Sequence, residues 1–256
     1  MAIVTRIAAV SYLNTIPFIY GIGHEGSLDA ELLKAPPAEC ARNFIEGRAD
    51  IALIPSAAVQ GLKSAEIVSD YCLGASGPVR SVTLMSNTPL SGVRRIFLDA
   101  HSRTSVQLCG WLAANRWRIA PEWLPLTDYS NLAYRASEGD AFLLIGDKVF
   151  EHEGEFAFTL DLAAEWIAAT GLPFAFAVWV ARKGTPYEVI DALQRSLSFG
   201  VERIYEAIVE GGYGERSYAY EYLTRNIDFL FDEQKHKALK KFWSEGLKVA
   251  PRVNPG

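Results

Sequence analysis

Two segments of this 256-residue chain follow one plan. Phe44-Ile45-Glu46-Gly47-Arg48-Ala49-Asp50-Ile51-Ala52-Leu53-Ile54-Pro55 is the first, and Ala136-Ser137-Glu138-Gly139-Asp140-Ala141-Phe142-Leu143-Leu144-Ile145-Gly146 the second. Each leaves a helical pattern at Glu-Gly, passes an aspartate and enters a short apolar strand that stops at proline or glycine. Two like α/β halves in one chain imply two lobes, and two lobes imply a cleft, the usual seat of a small molecule. The length suits one large domain or two small ones. With half its residues hydrophobic and 21% charged, the chain can bury a core and is not disordered.

The elements between the repeats alternate. Arg6 to Val10 predicts a first strand, and Pro17 suits the first turn of a following helix. Pro36-Pro37 opens a helix through Ile45, with Ala41, Phe44 and Ile45 on one face and Gly47 just past its end. Further strands are expected at 51–54, 81–86, 96–98, 142–145 and 174–181, and further helices from Ser102 through Asn115, over 132–137 and over 163–169. Helical spacing runs from Val189 to Ile208 with Gly200 as a break. A last helix starts near Asp232, with Leu239, Phe242 and Trp243 inward. This order predicts an α/β fold. The chain leaves its first lobe near Asn87 and returns near Phe174, so lobe one is 1–88 plus 177–256 and lobe two is the insert 89–176. A helical tail that returns to the first lobe is the wiring of type II periplasmic-binding-protein folds, an analogy that carries no function by itself.

Composition excludes several function classes. A net charge of -5 with no basic stripe argues against a nucleic-acid partner. An anionic ligand would have to be drawn in locally, by helix N-termini or placed arginines. Cys40, Cys72 and Cys109 are far apart and in no metal spacing, which reads as reduced thiols in or near the core. No secretory signal is evident, and no apolar run approaches the roughly 20 residues of a membrane span, so a cytoplasmic protein is expected. None of His24, His101, His152 and His236 falls in metal spacing, and no glycine-rich phosphate loop or Gly-x-Ser-x-Gly elbow is present, so neither metal nor cofactor is expected.

What remains is a set of neutral hydroxyls and one amide at strand ends. Ser102-Arg103-Thr104-Ser105 follows a strand and opens a helix, where unpaired N–H groups and the helix dipole favour a carboxylate. An ordinary N-cap by Ser102 or Thr104 accounts for the same residues. Ser11 and Asn14 lie at the carboxyl end of the first strand, the side on which open α/β sheets bind ligands, although a self-satisfied polar turn fits them equally. Ser56 and the pair Gly146-Asp147 take the matching place in the two repeats, as ligand contacts or as helix caps. Ser81 and Thr83 share one strand face, either toward substrate or bonded within the sheet. His101, directly after a strand end, is the one candidate base.

Val10-Ser11-Tyr12-Leu13-Asn14-Thr15-Ile16-Pro17-Phe18 resembles the opening of the chorismate dehydratase family of the futalosine route to menaquinone. Asp50 to Ser56, Ser81 to Leu84, Leu98 to Ser105 and Leu143 to Asp147 are similar to its later blocks, in the same order. The resemblance implies a type II binding-protein fold turned to catalysis. It also implies chorismate as substrate, 3-(1-carboxyvinyloxy)benzoate as product and catalytic assistance from an Asn and a Ser, here Asn14 and Ser81. A sister enzyme, dihydroxynaphthoate synthase, shares the fold but opens with a Ser-Pro-Cys-Pro-Asn-like block that this chain lacks. A solute-binding protein or a regulator's sensing domain would share the fold too, without the chemistry. The oligomeric state is not legible.

Overall fold

The computed structural model describes residues 4–99, 102–249 and 251. Its strands are β1 (Thr5–Val10), β2 (Ala30–Ala35), β3 (Ile51–Pro55), β4 (Ala65–Ala75), β5 (Val82–Ser86), β6 (Arg95–Asp99), β7 (Glu122–Leu126), β8 (Asp140–Ile145), β9 (Phe158–Asp161), β10 (Phe174–Arg182) and β11 (Asp228–Leu230). They form a six-stranded sheet in the order β11-β4-β10-β3-β1-β2 and a five-stranded sheet in the order β7-β6-β8-β5-β9. No helix among the described residues is long and apolar enough to cross a membrane.

Each sheet belongs to its own compact unit. Unit 1 is Met1–Ala75 with Ala175–Glu233, and unit 2 is Ser76–Phe174 with Gln234–Gly256. The sequence reading put these borders at 88/89 and 176/177 and gave the whole tail to the first lobe. In the structure β5 lies in the second sheet, between β8 and β9. The last helix, Glu233–Glu245, joins unit 2 through Phe242, whose ring meets Phe174 at 5.1 Å and Trp166 at 6.2 Å. Aromatic side chains carry large apolar areas, and this contact is one that local sequence pattern does not reveal.

The internal repeat is real in three dimensions. In unit 1, β1 runs parallel to β2 and to β3, and β3 pairs antiparallel with β10. In unit 2, β6 runs parallel to β7 and to β8, and β8 pairs antiparallel with β5. The shared Glu-Gly-to-Asp segment explains part of this. Gly47 and Gly139 both take positive φ, 79° and 86°, where a side chain is strained. The aspartate after each reaches an arginine on the neighbouring parallel strand: Arg6 Nη2 lies 2.8 Å from Asp50 Oδ1, and Arg95 Nε lies 2.6 Å from Asp140 Oδ1. The Arg6 guanidinium holds Asp50 below the usual carboxylate range.

The structure refines two readings, of an isoleucine and a glycine. Helix Pro37–Ile45 buries Cys40, Ala41 and Phe44, but Ile45 is 54% exposed, beyond the edge of the apolar face. The break expected at Gly200 falls just after it: one helix runs from Tyr187 to Val201 and the next begins at Ile204. Gly200 itself is a close-approach point against helix Ile16–His24. A Cβ there would stand 1.8 Å from the Pro17 carbonyl oxygen, and one on Gly21 would stand 1.9 Å from that of Ser196. Both neighbours are backbone and cannot rotate away. Gly200→Ala is therefore expected to cost about 1–3 kcal/mol or more, read as a lower urea midpoint at unchanged slope. Phe18, on the same helix, packs edge-on against Trp179 and Phe229 at 5.7 and 5.2 Å, so the crossing is tied to the unit 1 core.

Candidate active site

In unit 1 the candidate residues follow the ends of parallel strands. Ser11 comes directly after β1; its amide donates to Ala35 O at the end of β2, 3.1 Å away, and its side chain is exposed. It lines a cavity of about 220 Å³ with Tyr12, Ile16, Tyr20, Lys34 and Tyr213, so this strand end keeps a hollow. Asn14 sits in the 3-10 turn Leu13–Thr15 and is half-buried. Thr15 Oγ1 donates to Asn14 Oδ1 at 3.1 Å. With the carbonyl end engaged, the amide nitrogen has no hydrogen-bond partner among the described residues and presents two N–H donors. Ser56, fully buried, opens the one-turn helix Ser56–Val59 after β3. Because β1 and β3 are parallel neighbours, these residues share one end of the sheet.

In unit 2 the candidates form a connected chain of contacts. Ser81 is 1% exposed and enters β5 beside the end of β8, where its carbonyl accepts from Gly146 N at 2.8 Å. Gly146 takes φ 63°, and Asp147 precedes the one-turn helix Lys148–Glu151. Lys148 Nζ lies 2.6 Å from Asp99 Oδ2 at the end of β6. Asp99 O accepts from Ser102 N at 3.2 Å, and Ser102 Oγ accepts from Ser105 N at the same distance. Ser102 therefore makes the helix-start hydrogen bond expected of a cap. Its hydroxyl proton is a donor that a carboxylate could use at this helix start. Thr104 and Ser105 are buried on helix Thr104–Leu112, while Arg103 is exposed and makes no ion pair among the described residues. His101, the candidate base, lies outside the described residues.

Thr83 stands apart. It pairs with Leu144 across β5 and β8, and directly opposed residues share a face of the sheet. Leu144 is in the core cluster with Met85, Phe142 and Val149. Among the described residues Thr83 Oγ1 is buried without a hydrogen-bond partner, so of its two alternatives the bond within the sheet is not formed.

Sequence reasoning missed Asp99, Tyr129 and Lys148. Asp99 is fully buried, accepts from Tyr129 OH at 2.9 Å and pairs with Lys148, whose Nζ stands 4.0 Å above the Tyr129 ring. The signal for Asp99 was its place at the end of an apolar strand, where an unpaired carboxylate would be costly. Arg80 and Asp161 were missed as well. Arg80 takes φ 61° just before Ser81, and its amide donates to Asp161 Oδ2 at 2.7 Å. Burial pushes the Asp161 carboxyl up, against the pull of the backbone amides bonded to it.

The comparisons with known proteins agree with one another. A family model described as menaquinone biosynthesis matches residues 5–247. A Thermus thermophilus protein named chorismate dehydratase is 27% identical over 273 aligned positions, covering 95% of this chain and 96% of the relative. Among solved structures, a protein from Archaeoglobus fulgidus superposes with TM-score 0.75 at 17% identity, covering 95% of this chain and 96% of that one. A Candida albicans protein described as having the generic periplasmic-binding-protein fold superposes with TM-score 0.69 at 13% identity, covering 98% and 92%. At such identities the structural likeness speaks for the fold, which is of the periplasmic-binding-protein kind.

Proposed function

The chain belongs to the menaquinone-biosynthesis family, and from that premise we propose that it is a carbon-oxygen lyase. In this reading it removes water from chorismate to give 3-(1-carboxyvinyloxy)benzoate, as in the futalosine route, and works in the cytoplasm. The main support is that the likeness to the relative named chorismate dehydratase runs from end to end rather than through one motif.

The side chains suit this reaction. Chorismate carries two carboxylates, and loss of one ring proton and one hydroxyl makes its ring aromatic, so the product is strongly favoured. An enzyme for this step has to hold the ring and assist the two departures. Holding reacting groups at near-attack distance supplies several kcal/mol, up to about 7–11 in the best cases. Thr104 and Ser105, with the first-turn amides, Ser102 and Arg103, are the proposed grip on the ring carboxylate. Ser11, Ser56, Thr83, Gly146 and Asp147 are proposed as further substrate contacts. Asn14 donates to the leaving hydroxyl or to the enolpyruvyl carboxylate, and Ser81 assists it. The substrate's own enolpyruvyl carboxylate takes the ring proton, which removes the need for a side-chain base.

Incubating the purified protein with chorismate and following the aromatic absorbance of a benzoate tests the proposal. Steady formation of one aromatic product with the mass of chorismate less one water is the expected result. Saturable binding of chorismate without turnover would make this a small-anion binding protein. A rate controlled by a group titrating near neutrality would move the base from the substrate to His101.

A further inference from the structure

Ser81 follows a residue whose backbone is out of the ordinary. Arg80 takes φ 61°, in the left-handed region that a residue with a Cβ visits rarely. Such a conformation persists only where its surroundings over-determine it. Here the Arg80 amide donates to Asp161 Oδ2 at 2.7 Å, and the Arg80 guanidinium reaches Glu153 Oε1 at 2.6 Å. On the other side of Ser81, its carbonyl is held by Gly146 N at 2.8 Å. The peptide that follows this serine is thus held by Gly146, and the Val79-Arg80 peptide, one position further upstream, is held by Asp161.

Asp161 does more than accept one amide. Its Oδ1 accepts from Ala164 N at 3.0 Å and so caps helix Leu162–Thr170. One half-buried carboxylate therefore joins the start of a helix to the turn at Arg80.

We propose that Asp161 is a positioning residue for Ser81: by fixing the Val79-Arg80 backbone in its left-handed turn, it sets where the Ser81 hydroxyl stands. This rests on the reading of Ser81 as an assistant in the elimination. Asp161 itself touches neither substrate nor reacting atoms in this account.

The test uses the full-length protein, with kcat, KM and thermal midpoint measured for Ser81→Ala, Asp161→Asn and Asp161→Asn combined with Arg80→Gly. The asparagine keeps the shape but turns one acceptor oxygen into a donor facing other donors. Asp161→Asn should lower kcat about 10- to 100-fold with KM changed by less than about threefold. Adding Arg80→Gly should recover about tenfold of kcat, because glycine takes the left-handed turn without being held there. The thermal midpoint should move little throughout, since the remaining asparagine oxygen still caps the helix. A merely structural role would make kcat follow the midpoint in all variants. Full turnover in Asp161→Asn beside a dead Ser81→Ala overturns this inference alone. Full turnover in Ser81→Ala overturns the reading of Ser81 and the inference with it. If Asp161→Asn does not fold, Arg80→Gly is compared with Arg80→Val, whose β-branched side chain resists positive φ. Arg80→Gly should turn over about tenfold faster, and equal rates overturn the proposal.

Discussion

Asn14→Ala is expected to lower turnover of chorismate by about 10²- to 10³-fold while the protein stays folded. The magnitude is that of removing one aimed hydrogen-bond donor from a site where charge develops. The side chain sits in a 3-10 turn directly after β1, and Thr15 Oγ1 occupies its carbonyl oxygen. What remains toward a ligand is the N–H₂ group, a neutral donor that suits a dianionic substrate better than a mobile cation would. Truncation removes that donor and leaves the buried Thr15 hydroxyl without this acceptor, at a cost of about 1–3 kcal/mol, which the fold should survive. Asn14→Asp should be at least as damaging, because it replaces the donor with a negative charge facing two carboxylates. Thr15→Val gives a finer comparison: the donor remains but loses its orienting partner, and the loss should be smaller than in Asn14→Ala. The measurement is kcat by product absorbance beside a thermal melt. Asn14→Ala turning over at the wild-type rate with an unchanged melt would remove Asn14 from the chemistry.

What could be read from the chain beforehand follows from how far apart the interacting residues are. The repeat at Glu46-Gly47 and Glu138-Gly139 was legible because each copy is local: a helix end, a glycine at positive φ and an apolar strand. Strands β1, β3, β5, β6, β8 and β10 were legible for the same reason, as unbroken apolar or β-branched runs. β4 was not, although it is the longest strand at 11 residues, because Ser69 and Asp70 interrupt it and its first half is only partly buried. Gly200 shows a different limit. Within a helix a glycine reads as weakness, and only the partner helix shows that the missing side chain is what allows the contact. At the site, the hydroxyls of Ser102 to Ser105 were visible as a strand-to-helix junction. The ion pair beneath them joins residues 49 positions apart, and no periodicity connects such a pair.

That ion pair carries the largest expected change in stability. Asp99 is 0% exposed at its side chain and Lys148 is 19% exposed, with 2.6 Å between Nζ and Oδ2. Two charges taken this far out of water compensate each other, and removing one leaves the other buried without its counter-ion. Lys148→Met, which keeps the length of the side chain and deletes its charge, should therefore cost about 3–5 kcal/mol, seen as a large fall in the urea midpoint. The same physics makes the reverse prediction for the pair. With Asp99→Leu added there is no orphaned charge, and the remaining loss falls to about 1–3 kcal/mol, mostly from the Tyr129 hydroxyl that loses its acceptor. The double variant should thus be about 2 kcal/mol more stable than Lys148→Met alone, and the coupling in the mutant cycle should exceed that difference by the cost of Asp99→Leu alone. Asp99 also gives its backbone carbonyl to Ser102, and Lys148 follows Asp147. Turnover of the restabilised double variant then separates two roles. Turnover that returns with stability assigns the pair to holding unit 2 together. Turnover that stays low assigns it to setting the ends of β6 and β8 where the proposed carboxylate grip begins. A Lys148→Met protein as stable as the wild type would show that the pair, close as it is, adds nothing to the fold.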